Sequence, residues 1–172
     1  MTTTTQTDDL TLTEIFGDPS FNGIHTVTGS STVLTITGTH NNTTIPDLTI
    51  KLESGASVLF NGITLSSTNS NSTLLTIQNS YGSSGTCKFT GTCTFELKES
   101  QQTAVQFYGF GNEKVTTENP INVKPLADGS TDPFPFSMGS NSDIVRQANS
   151  DGTINLDNPT FNLQLTEAGT YV

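Results

Sequence analysis

Apolar residues recur at every second position in several short stretches of the chain. The series are Leu34 and Ile36; Leu48, Ile50 and Leu52; Cys93, Phe95 and Leu97; and Phe161, Leu163 and Leu165. A period of two places one side of an extended segment in a core and the other toward water. The intervening positions are mostly Thr, Ser, Asn and Gln. Thr, Val and Ile carry branched side chains that fit a pleated backbone, and Gly, Asn and Ser separate the stretches as turns. The pattern predicts strands near 33–37, 48–52, 58–65, 74–78, 93–97 and 105–110, with almost no helix.

These strands show self-similarity. Phe-Asn-Gly-Ile occurs at 21–24 and at 60–63, with a degenerate Phe-Tyr-Gly-Phe at 107–110. Ser-Thr-Val-Leu-Thr-Ile at 31–36 matches Ser-Thr-Leu-Leu-Thr-Ile at 72–77, Ile50 to Leu52 matches Phe95 to Leu97, and Ser57 to Phe60 matches Ala104 to Phe107. The order is kept while the offset grows from 39 through 41 to about 47 residues, as loop insertions between fixed strands would produce. Three short strands per unit predict an all-β β-solenoid whose coils stack Leu34 near Leu75 and Phe60 near Phe107. An antiparallel β-sandwich or jelly roll is the alternative.

Over roughly residues 20–125 this arrangement resembles the right-handed parallel β-helix proteins, such as pectate-lyase-like enzymes and phage tailspikes, at the level of architecture. The corresponding organisation is an N-terminal arm over 1–19, a repeat β region over 20–125, and a C-terminal cap with closing strands over 126–172. Pro120, Pro125, Pro133 and Pro135 oppose a long central strand in that last part, and Phe134 to Phe136 reads as a loop over an open end. Closing strands are expected at 152–156 and 160–165, since a stack of repeats needs atypical terminal units.

Composition narrows the function. Six Lys and Arg stand against sixteen Asp and Glu among 172 residues, a formal net charge of -10, and Arg146 is the one arginine. Nucleic-acid binding needs clustered cations, so no nucleic-acid partner is expected. No apolar run approaches a bilayer's thickness, so no membrane insertion is expected. The first residues lack the basic and apolar regions of a signal peptide, which points to a virion or extracellular structure assembled from the cytoplasm, or else a cytoplasmic protein.

Candidate chemistry is sparse. If Phe89-Thr90-Gly91 closes a three-residue hairpin with a left-handed Gly91, Cys87 and Cys93 face each other and a cross-strand disulfide follows; otherwise both pack as small hydrophobes. His25 and His40 stand beside no nucleophile turn, and both read as surface histidines. Asp47, Glu53, Glu96 and Glu99 would form a carboxylate stripe if the repeat superposes Glu53 on Glu99, although solvated charges are the better reading of them. Asp128 to Asp132, Asn141 to Asp143 and Asn149 to Gly152 are oxygen-rich turns of the kind that hold calcium, and also ordinary turn formers. Asn41, Asn42 and Asn71 satisfy the glycosylation sequon. Tyr81, Tyr108 and Phe110 are the aromatics expected to be exposed.

No catalytic residue, cofactor or metal is therefore expected. The expected function is a non-enzymatic structural protein that self-associates, as a homo-oligomer or filament, or decorates a virion or surface fibre. Thr2, Thr3, Thr4, Thr5, Gln6 and Thr7 form the assembly arm, expected to add a strand to a neighbour's sheet edge. A carbohydrate-binding or adhesin module is the second expectation and a polysaccharide-acting enzyme the third.

Overall fold

The computed structural model describes residues 2–4, 8–43, 47–68, 73–80, 83–97, 103–110, 115–119, 121–124, 134–138, 146–148, 153–156 and 162–165. The chain winds through stacked parallel strands as a β-solenoid of about 4 turns. Its elements are β1 (Thr2–Thr4), β2 (Asp8–Thr11), α1 (Leu12–Gly17), β3 (Ile24–Thr28), β4 (Val33–Asn42), β5 (Leu48–Glu53), β6 (Ser57–Ser67), β7 (Thr73–Asn79) and β8 (Cys87–Thr90). They continue with β9 (Thr94–Leu97), β10 (Thr103–Tyr108), β11 (Val115–Thr117), β12 (Ile121–Lys124), β13 (Phe134–Met138), β14 (Arg146–Ala148), β15 (Thr153–Leu156) and β16 (Asn162–Leu165).

Two sheets share these strands. Sheet A is entirely parallel, in the order β1-β3-β5-β7-β10-β13. In sheet B, β2, β4 and β6 form a parallel ladder, and β6 carries β8 on its first half and β9 on its second. β11 then pairs with β8 and β12 with β9, and β16 follows β12 before the antiparallel β15 and β14.

The period of the stack is shorter than the sequence repeat suggests. One position of sheet A runs from His25 to Ile50, Ile77, Phe107 and Met138, so successive coils advance by 25, 27, 30 and 31 residues. Leu34 pairs with Val58, while Leu75 lies in sheet A between Leu48 and Val105; Phe60 pairs with Phe89, not Phe107. The matched strings thus superpose a strand of sheet B, β4, on a strand of sheet A, β7. Both sheets bury one face and wet the other, so both select the same alternation of Thr with Leu or Ile. The two Phe-Asn-Gly-Ile copies also differ in place: the first leads into β3, the second turns a corner within β6.

That corner is set by glycine. Gly38, Gly62 and Gly91 all have positive φ, at 90°, 63° and 61°, where a side chain is strained. The β4–β6 register shifts between Thr37 and Thr39, which lets each long strand bend and carry both halves of sheet B. Gly91 is therefore left-handed as expected, but it makes no hairpin: β8 and β9 both run parallel to β6, on either side of the bend.

The interior is a continuous apolar cluster. Leu34, Val58, Cys87 and Val115 make one inward line of sheet B, and Ile36, Phe60 and Phe89 make the next, all at 1% exposure or less. Phe60 and Phe89 stack with ring centroids 4.9 Å apart, and Phe107 meets Phe89 edge-on from sheet A at 6.5 Å. Phe110, expected at the surface, is buried against Phe107 at 6.1 Å.

The N-terminal residues belong to the fold. Leu12 and Ile15 of α1 are buried, and Phe16 stacks on His40 at 4.1 Å and meets Phe21 edge-on at 5.2 Å. The helix begins with a capping box: the Thr11 amide donates to the Glu14 carboxylate at 2.7 Å and the Glu14 amide donates to Thr11 Oγ1 at 3.1 Å. These bonds hold the Glu14 carboxyl below the usual carboxylate range. At the other end, the closing strands expected near 152–156 and 160–165 are β15 and β16, whereas Phe134 to Phe136, read as a loop, lies in β13. Pro135 is tolerated because β13 is the terminal strand of sheet A, with one side outside the ladder.

Candidate functional site: sheet edges and polar ladders

Strand pairing arranges the outward side chains in lines. On sheet A, Ile24, Thr49, Thr76 and Gln106 share one register position, and Lys51, Gln78 and Tyr108 share another that begins at Thr26, itself buried. On sheet B, Thr35, Leu59, Lys88 and Thr116 form a line on the first half, and Asn41, Ser66 and Glu96 form one on the second. Neighbouring positions in such a line are about 4.8 Å apart, the spacing of hydrogen-bonded strands. Two ion pairs decorate these faces, Lys51 with Glu53 at 2.6 Å and Lys88 with Glu118. Both are exposed and add little to stability.

A polar knot closes the corner between β4 and β5. Asn42, 1% exposed, donates from Nδ2 to Asp47 Oδ1 at 2.7 Å, and Ser67 Oγ donates to the same oxygen at 3.0 Å. Asn41 is exposed and accepts from Ser66 Oγ at 2.8 Å. Of the sequon asparagines, Asn42 is thus committed to the interior, and Asn71 lies outside the described residues.

The ends of the two sheets differ. Among the described residues, sheet A terminates in β1 on one side and β13 on the other, both parallel to the strands they join. Sheet B begins at β2, parallel to β4 and leading into α1, and its far end divides between β11, parallel to β8, and the antiparallel strands β15 and β14. A terminal strand directs alternate backbone amides and carbonyls away from its sheet and so templates a further strand.

The residues singled out from sequence are dispersed. Thr2, Thr3 and Thr4, expected as part of an assembly arm, form β1 and pair with His25, Thr26 and Val27 of the same chain. Thr5, Gln6 and Thr7 lie outside the described residues. Cys87 and Cys93 are buried free thiols, and the hairpin that would have faced them is not formed. Burial pushes both thiols up, Cys87 well above its ordinary value, and Cys93 Sγ donates to the Thr90 carbonyl at 3.3 Å.

His25, expected at the surface, is 1% exposed and shares the inward line of Ile50, so burial lowers its pKa; His40 is lowered by burial beneath Phe16. Asp47 sits in the corner knot, Glu53 ends β5 in sheet A and Glu96 lies in β9 of sheet B, so these three described carboxylates share no common stripe. Glu99, Tyr81 and the calcium-type turns lie outside the described residues. Among the described residues, no three His, Cys, Asp or Glu side chains gather as metal ligands, and no helix is long and apolar enough to cross a membrane. Family models, curated protein sequences and solved structures yield no match to this chain.

The edges were the feature sequence reasoning missed. Their signal was present in the Thr run at 2–5, whose β-branched residues suit a short strand, and in the alternation of Phe134 and Phe136.

Proposed function

We propose that the protein is a non-enzymatic structural component that assembles head to tail with copies of itself, as a fibre or as decoration on a virion or other surface. The observation that carries this reading is that sheet A, among the described residues, ends in a parallel strand on either side, β1 and β13. Two different edges that fit each other make a heterologous contact, which repeats without closing. The line from His25 through Ile50, Ile77 and Phe107 to Met138 would continue at Thr2 of the next copy. Tailspike-type fibres are built on the same kind of parallel stack, which is the extent of the family likeness.

Light scattering of the full chain across a micromolar to millimolar series tests the contact. Mass is expected to rise with concentration above that of the 18.3 kDa chain. Ser137→Lys, which adds a charge on the terminal strand, is expected to return it toward one chain. A single-chain mass throughout, or a rise that Ser137→Lys leaves intact, contradicts the reading.

A carbohydrate-binding module is the second reading, favoured by Tyr108 in line with Gln78 and Lys51 on the outer face of sheet A. Phenol, amide and ammonium groups in register suit a sugar chain, and a monomer that binds polysaccharide would favour this reading over assembly.

A further inference from the structure

We propose that β1 is a proton-sensitive strand, held on the end of sheet A while His25 is neutral and released when His25 takes up a proton. β1 joins the fold through three register pairs, Thr2 with His25, Thr3 with Thr26 and Thr4 with Val27. A three-residue terminal strand lies at the low end of local stability, where small changes decide whether it stays docked. The residue in register with Thr2, His25, is 1% exposed, and its register neighbour in β5, Ile50, is fully buried.

Among the described residues, the groups near that imidazole are these. β1 supplies only threonines, and the inward positions of β5 are Leu48, Ile50 and Leu52. Glu14 of α1 is exposed and bound to Thr11. Asp18, in the turn between α1 and β3, is the carboxylate that favours the cation, and it accepts from the Ser20 amide at 2.7 Å and the Ser20 hydroxyl at 2.8 Å. Burial outweighs Asp18 and holds the His25 pKa below its ordinary value.

The sign follows from that depression. Above about pH 6.5 the imidazole is neutral whether β1 is docked or not, and the docked state keeps its full stability. As pH falls below that value the released, hydrated His25 protonates first and the balance moves toward release. Each pH unit in this window changes the ratio by up to about tenfold, until the docked form also protonates. Loss of β1 also removes the edge that β13 of the next copy would meet, a consequence that rests on the proposed assembly; release itself does not.

Amide hydrogen exchange of the full chain at pH 7.5 and pH 5.0, with times scaled for intrinsic exchange, tests release. The β3 amides are expected to lose roughly tenfold in protection at pH 5.0 while those of β7 keep theirs. His25→Gln is expected to abolish the difference, and His40→Gln to retain it. In the wild-type chain the loss should follow the NMR titration of the His25 imidazole, a readout that needs no variant. Unchanged β3 protection at pH 5.0, or an equal loss in His25→Gln, overturns the proposal. Light scattering at both pH values separates the two claims: lost β3 protection with unchanged mass supports release and tells against the assembly contact.

Discussion

Phe89→Ala is expected to destabilise the protein by about 3–5 kcal/mol, the range for removing a fully buried aromatic ring from a packed core. Phe89 is 1% exposed, stacks on Phe60 at 4.9 Å and meets Phe107 edge-on at 6.5 Å. The ring therefore joins two coils of sheet B to each other and sheet B to sheet A. Its loss opens a cavity where neighbouring coils are coupled, and in a stacked structure each coil depends on the next. Urea unfolding is expected to show a lower midpoint and a shallower, less cooperative transition. Phe89→Leu, which keeps most of the volume, should cost well under half as much. A loss below about 1 kcal/mol for Phe89→Ala would mean that the aromatic stack does not hold the interior together.

Gly85→Ala is the second large effect, at about 1–3 kcal/mol, because the added methyl meets backbone that cannot move aside. A Cβ at Gly85 would lie 2.3 Å from the Ala56 carbonyl oxygen and 3.1 Å from Asn79 Oδ1. Ala56 is fully buried and its amide donates to the Glu53 carbonyl at 3.1 Å. The next residues are fixed as well: the Val58 amide donates to the Thr86 carbonyl at 2.9 Å and the Thr86 amide to Ser57 Oγ at 3.0 Å. Relief requires parting the coil of β5 and β6 from that of β7 and β8. Gly17→Ala is the control, since nothing lies within 4 Å of its Cβ position. Thermal melts should separate the two; equal melting temperatures would contradict the close approach of the coils.

Alternation made the strands legible, and the stacked β-solenoid followed from it. What alternation left open was which sheet each strand joins. Leu74 to Ile77 and Val33 to Ile36 carry nearly the same string yet lie in different sheets, because a half-buried parallel strand imposes the same pattern in either. Gly91 shows a similar ambiguity. Its left-handed backbone was readable from its neighbours, but that conformation serves a bend as well as a hairpin, and the pairing of β8 and β9 with one long β6 decides between them.

The α1 cap carried a local signal, Thr11 followed by Glu14 with Leu12 and Ile15 for the interior, in a segment too short for helical periodicity to stand out. His25 reads from sequence as a surface residue because one imidazole between Ile24 and Thr26 has no periodic meaning until β3 is placed beside β5. The edges of sheet A were hidden for a related reason: an edge belongs to the order of strands, which emerges only when the coils are stacked.

Disulfide trapping tests the stacking most directly. The structure places Thr49 beside Thr76 in sheet A, whereas the longer repeat read from sequence would place Thr35 there. Paired positions on adjacent strands fall within the reach of a disulfide. In the full chain, Thr49→Cys with Thr76→Cys is expected to cross-link rapidly under mild oxidation, and Thr35→Cys with Thr76→Cys to remain reduced. Cross-linking of the second pair and not the first would contradict the coil period and the strand order of sheet A.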